Sequence, residues 1–145
     1  MSAPAGKKVE GQCLCGAVKF TATLKNQDLH ACHCSMCRAW VSGPFLGVDC
    51  EAPLSFEDDS AVGRYSASEW GERLFCKACG TSLAWQTKGG ELASVSAGLV
   101  DLDAGASVTT EIFIDEQPHY YGFAGDAKRM TGAEAFAAFT AGQEG

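Results

Sequence analysis

Residues 11–20 read GQCLCGAVKF, and this stretch decides the fold. Its first half sets Cys13 and Cys15 either side of one residue, with Gly16 directly after. Its second half opens a run, AVKFTATL (17–24), in which Val18, Phe20, Ala22 and Leu24 alternate with more polar neighbours. That alternation predicts a half-buried strand. A close pair of thiols feeding a strand asks for a partner pair, and FCKACG (75–80) supplies one in Cys76 and Cys79, again with glycine following. Each glycine lets the backbone adopt positive φ, so that amide groups face the thiolates. Four sulfurs meet the tetrahedral demand of a structural zinc ion. Closing the loop of about 60 residues between the pairs costs roughly 3–4 kcal/mol in chain entropy. Structural zinc binding supplies on the order of 10–16 kcal/mol. A split site on Cys13, Cys15, Cys76 and Cys79 is therefore expected. The alternative of two redox pairs is disfavoured, because a C-x-x-C redox motif normally opens a helix beside a βαβ unit and none is visible.

Working outward, short apolar runs separated by turn residues predict further strands over 44–48, 73–75, 81–86, 91–100 and 108–114, with a hairpin turn in TKGGEL (87–92). One convincing helix is expected near the end. TGAEAFAAFTAG starts at Thr131 with Glu134 three residues on, a capping box, and Gly142 is placed to end it. A shorter helical turn is expected from Ser35 to Trp40. The fold class is mainly β with a short C-terminal helix, in one zinc-binding domain over 8–141. Residues 1–8 and 142–145 read as loose termini.

ACHCSMCRAW (31–40) carries three more cysteines, Cys32, Cys34 and Cys37. Three protein ligands with one open position is the pattern of a catalytic zinc site. A thiol is the natural visitor, since a thiol coordinated to zinc loses its proton outright. Two zinc ions per chain follow. The site could instead be closed by Cys50, giving two four-cysteine sites and a non-catalytic module for a protein partner. His30, His33 and His119 are other candidates for the fourth position. His33, between two ligand cysteines, should point away from their metal. His119 could serve as an acid or base, and Cys50 reads best as a small buried residue. Arg38, Arg73 and Lys77 read as solvated charges that could attract a carboxylate.

The 145 residues carry a formal net charge of −7. That argues against nucleic acid, which needs a basic face, and against anionic lipid. No apolar run approaches the ~20 residues of a membrane span, and MSAPAGKKVEGQC holds no segment that reads as a signal peptide. The expectation is a cytoplasmic protein. In that reducing compartment the eight cysteines serve as metal ligands or reactive thiols rather than as a disulfide framework. Exposed strand edges leave a homodimer open.

GQCLCGAVKF, HACHCSMCRAW and ERLFCKACGTSLAW, in that order, resemble the glutathione-dependent formaldehyde-activating enzyme family, which includes the centromere protein V domain. A looser echo lies in EIFIDEQPHYYGFAGD. The resemblance implies a β-tent of small antiparallel sheets stapled by zinc. It implies a structural zinc on Cys13, Cys15, Cys76 and Cys79 and a catalytic zinc on Cys32, Cys34 and Cys37. The implied activity is that of a carbon–sulfur lyase joining glutathione to formaldehyde as S-hydroxymethylglutathione. The chain departs from the namesake enzymes in being shorter and in carrying His33 where they have glycine. It looks more like the short members of the family.

Overall fold

The computed structural model describes residues 6–51 and 54–144. The chain folds into two compact units. The first comprises the segments up to Leu29 and from Gly47 to Ser107; the second comprises His30–Leu46 and the segment from Val108 onward. Among the described residues there are ten strands and two α-helices, so the class is mainly β, as expected. No helix is long and apolar enough to cross a membrane.

In the first unit, β1 (Lys7–Gln12) and β4 (Ser55–Phe56) both pair antiparallel with β2 (Lys19–Cys32), whose residues from His30 onward belong to the second unit. The order continues from β2 to β3 (Phe45–Cys50), β8 (Ala93–Ser96), β7 (Ser82–Thr87), β6 (Gly71–Cys76) and β5 (Val62–Tyr65). From β3 to β5 each neighbour is antiparallel. The predicted alternation holds: Val18, Phe20, Ala22 and Leu24 are all buried. They pack with Val48, Leu74, Leu83, Val95 and Cys50 in one apolar core. The glycine turn between β7 and β8 is also as expected, with Gly90 at φ 80° and the Thr87 amide donating to the Leu92 carbonyl.

β2 runs eight residues beyond the predicted end at Leu24, to Cys32. The alternation changes phase there: Leu24 is buried, and the next buried positions are Gln27 and Ala31. Asn26 accepts the Asp28 amide through its side chain, a local turn-like bond that shifts the pleat by one residue. The buried Gln27 is then satisfied by Asp103. β1 begins at Lys7, so residues 7 and 8 belong to a strand rather than to a loose terminus. Residues 1–5 and 145 lie outside the described residues.

In the second unit, β9 (Ser107–Ile112) stands beside β2 in the strand order and pairs in parallel with β10 (Lys128–Arg129). The predicted strand over 108–114 stops at Ile112, because Phe113 turns left-handed at φ 58° and a 3-10 turn follows at Ile114–Glu116. α1 (Ser35–Val41) is capped by Cys34. α2 (Gly132–Glu144) opens on the expected capping box. The Glu134 amide donates to Thr131 Oγ1 at 3.2 Å, and the Thr131 amide donates to Glu134 Oε1 at 2.8 Å. The helix continues past Gly142 to Glu144, two residues beyond the predicted end.

Candidate metal centres

The two predicted knuckles share one device, a left-handed glycine directly after the second cysteine. Gly16 and Gly80 both sit at φ 81°. In the first knuckle the Val18 amide donates to Cys13 Sγ at 3.3 Å and the Gly16 amide to the Cys13 carbonyl at 3.1 Å. In the second the Cys79 amide donates to Cys76 Sγ at 3.4 Å and the Gly80 amide to the Cys76 carbonyl at 2.8 Å. Thr81 joins them: its hydroxyl accepts the Leu14 amide at 3.1 Å and lies 3.1 Å from Cys79 Sγ. A register slip in the β6/β7 pair between Leu74 and Phe75 comes just before Cys76 and re-aims the strand end.

The four sulfurs lie within 4.8 Å of one another. Cys13 and Cys15 are 3.6 Å apart, and Cys15 and Cys76 are 3.8 Å apart. Tetrahedral zinc with Zn–S bonds of about 2.3 Å places its sulfurs about 3.8 Å from each other. A disulfide would need about 2.05 Å, and all eight cysteines are free thiols. The Thr81 hydroxyl and amide hold Cys79 down at about 5. The Ala17 amide favours the Cys15 thiolate, but Cys13 and the other sulfurs push it up to about 11. Four thiols at these separations are the donor set of a cation, which lets all of them ionise together.

Cys32, Cys34 and Cys37 also bring their sulfurs within 4.8 Å of one another, and all three are buried. Cys32 comes from the end of β2, Cys34 caps α1 and Cys37 lies in its first turn. The Cys37 amide donates to Cys34 Sγ at 3.3 Å. The neighbouring thiols Cys32 and Cys37 hold Cys34 at about 2. Cys32, facing Cys34 and Cys37 from a buried position, is pushed far up. Soft thiolate donors with no carboxylate in the group suit zinc. Phe45, Trp40, Val41, Ile112 and Phe113 pack around the trio, and Trp40 stacks on Phe45 with ring centroids 5.2 Å apart.

Cys50 is not part of this group. It lies on β3 in the core of the first unit, where its thiol donates to the Ala93 carbonyl at 3.5 Å. Burial, with Asp49 nearby, pushes that thiol up to about 11. His30 sits on β2. His119 is exposed, and its ring meets Tyr120 edge-on at 5.8 Å. Arg73, expected to be a solvated charge, is buried on β6. Lys77 is exposed. Arg38 is half-buried, with Nε donating to the His33 carbonyl at 3.1 Å.

His33 does point into protein, but its partners were not visible in the sequence. Its ring is wholly buried. Nδ1 lies 2.8 Å from the Tyr121 hydroxyl and Nε2 lies 2.8 Å from Glu111 Oε1. Glu111 is buried on β9 and takes a second bond from Arg129 Nη1 at 2.6 Å. Arg129 Nη2 donates to Gln117 Oε1 at 2.8 Å, and Gln117 Nε2 donates to the Tyr121 carbonyl at 2.9 Å. Burial raises the Tyr121 phenol above its ordinary value, against the opposing pull of Arg38. No short-range signal marks this set, since Glu111 and Tyr121 stand 78 and 88 positions from His33.

Residues 8–116 match the family described as glutathione-dependent formaldehyde-activating enzyme. A Schizosaccharomyces pombe protein described as an uncharacterized lyase is 35% identical over 123 residues, covering 84% of this chain and 90% of its own. The crystal structure of a Rhodobacter sphaeroides protein shares the fold with a TM-score of 0.54 at 23% identity, over 68% of this chain and 90% of its own. With both cysteine groups inside the matched span, the chain belongs to the glutathione-dependent formaldehyde-activating enzyme family.

Proposed function

We propose that this protein is a zinc-dependent carbon–sulfur lyase that adds a thiol, glutathione or a close relative, to formaldehyde or another small aldehyde. Family membership and the lyase description of the Schizosaccharomyces pombe relative support the class. In this reading Cys13, Cys15, Cys76 and Cys79 hold a structural zinc that closes the β scaffold into a tent. Cys32, Cys34 and Cys37 hold a second. One observation carries the proposal: among the described residues one group gathers four sulfurs and the other gathers three. Zinc bound by three thiolates supplies Lewis acidity and a fourth position at which an incoming thiol gives up its proton.

The chain's own residues have narrower tasks. The buried trio fixes where the thiol arrives. The apolar wall of Trp40, Phe45 and Ile112 keeps water away from it. In this reading Arg38, held through Nε by the His33 carbonyl, meets a substrate carboxylate. In the addition the sulfur–carbon bond forms, the carbonyl π bond opens onto oxygen, and solvent protonates that oxygen. The reverse reaction breaks the same carbon–sulfur bond.

Titrating glutathione into the cobalt-substituted protein tests this. A new sulfur-to-metal charge-transfer band at millimolar thiol is expected, together with an S-hydroxymethyl adduct on adding carbon-13 formaldehyde. An unchanged spectrum at millimolar thiol would overturn the reading. The rival, a non-catalytic module with two closed four-cysteine sites, requires Cys50 as a ligand. Cys50→Ala should therefore keep two metals per chain, and loss of one would favour the rival.

A further inference from the structure

His33 and the four side chains linked to it close on themselves. Tyr121 bonds His33, His33 bonds Glu111, Glu111 bonds Arg129, Arg129 bonds Gln117, and Gln117 returns to the backbone of Tyr121. Glu111, which accepts from Arg129, also accepts from His33 Nε2–H. Both ring nitrogens of His33 are engaged inside the ring, by Tyr121 and Glu111, which argues for a role in holding geometry. Buried networks satisfied in this way rigidify what they contain.

What this network contains is the peptide between two of the three sulfurs. The His33 amide donates to the Ile112 carbonyl at 3.1 Å, and its carbonyl accepts from Arg38. Two residues on, the Ser35 amide donates to Glu116 Oε1 at 2.9 Å. His33 is therefore held at its amide, its carbonyl and both ring nitrogens. We propose that His33 is a positioning residue, locked by Tyr121 and Glu111, that keeps Cys32 and Cys34 aimed at one metal ion and docks the loop bearing His119 and Tyr120 beside them.

This rests on the reading of the trio as a metal site, and the experiment separates the two. Full-length protein loaded with cobalt is challenged with a chromophoric chelator, the two sites being followed by their ligand-field bands. Groups that orient metal ligands typically change affinity by about 10–100-fold when removed. His33→Ala should weaken the three-cysteine site by about that factor and shift its ligand-field bands, with the four-cysteine site unchanged. Tyr121→Phe removes one oxygen and leaves the ring packing in place. It should weaken the same site in the same direction by a smaller factor and raise amide exchange over residues 117–125; it decides alone if His33→Ala fails to fold. Equal weakening at both sites, or none at either, would overturn the positioning role. Uptake of a single metal by the wild-type chain would overturn the metal reading first and the positioning role with it.

Discussion

Cys34 sits at the junction of a strand end, a helix cap and two neighbouring thiols, and small changes there separate the two metal groups. Cys34→Ser should lose one metal of two, keep the four-cysteine metal and retain the fold, as measured by zinc stoichiometry and circular dichroism. Its hydroxyl can still accept the Cys37 amide as a helix cap. Cys76→Ser should do more, because Cys76 is wholly buried at a strand end and its sulfur supports the second knuckle; loss of cooperative thermal unfolding is the expected readout. All seven ligand candidates were legible in the sequence, because thiols at close spacing constrain their own surroundings, and in the two pairs a following glycine adds to the signal. His33 was legible only by elimination. Its direction followed from its neighbours, but its partners come from β9 and the following loop, and no local pattern encodes them.

At the scale of elements, the glycines after each cysteine pair carry a checkable cost. Gly80 sits at φ 81° with no atom within 4 Å of where a Cβ would stand. Gly80→Ala should therefore cost only the backbone term, about 1–2 kcal/mol, read as a lowered thermal midpoint. Thr131→Ala removes the cap of α2 and should cost about 1 kcal/mol, read the same way. Capping and turn chemistry are local, which is why both features could be read from sequence. Strand ends were less legible where a single residue breaks the pattern. Asn26 shifts the pleat of β2 without interrupting the strand, and Phe113 turns β9 aside in a conformation that a bulky residue seldom adopts. Arg73 escaped for a related reason: charge alone suggests solvent, whereas it is buried on β6, opposite Trp85 of β7.

At the scale of the whole molecule, Asp103 links distant parts of the first unit. It accepts from Lys7 at the start of β1 and from the buried Gln27 on β2, at 2.7 and 2.9 Å. Lys7 first, then Gln27, lower its carboxyl below the ordinary 3.8. A carboxylate lowered on folding stabilises the native state above its ordinary value, and that contribution fades as pH falls through the lowered one. Asp103→Asn should therefore unfold at a lower temperature than wild type at neutral pH, and the gap should narrow in acid. The mainly β class was legible, since alternation and turns fix it. The division into two units was not, because each is assembled from segments separated by tens of residues.

That interleaving gives the chain a timetable on the ribosome. Cys37 is made early, whereas Glu111, Tyr121 and Arg129, which clamp the peptide beside its partners, follow after residue 107. Synthesis at about 5–20 residues per second leaves roughly 5–18 seconds between residue 37 and residue 129. Through that interval the three sulfurs of the nascent protein lack the brace that these later residues complete.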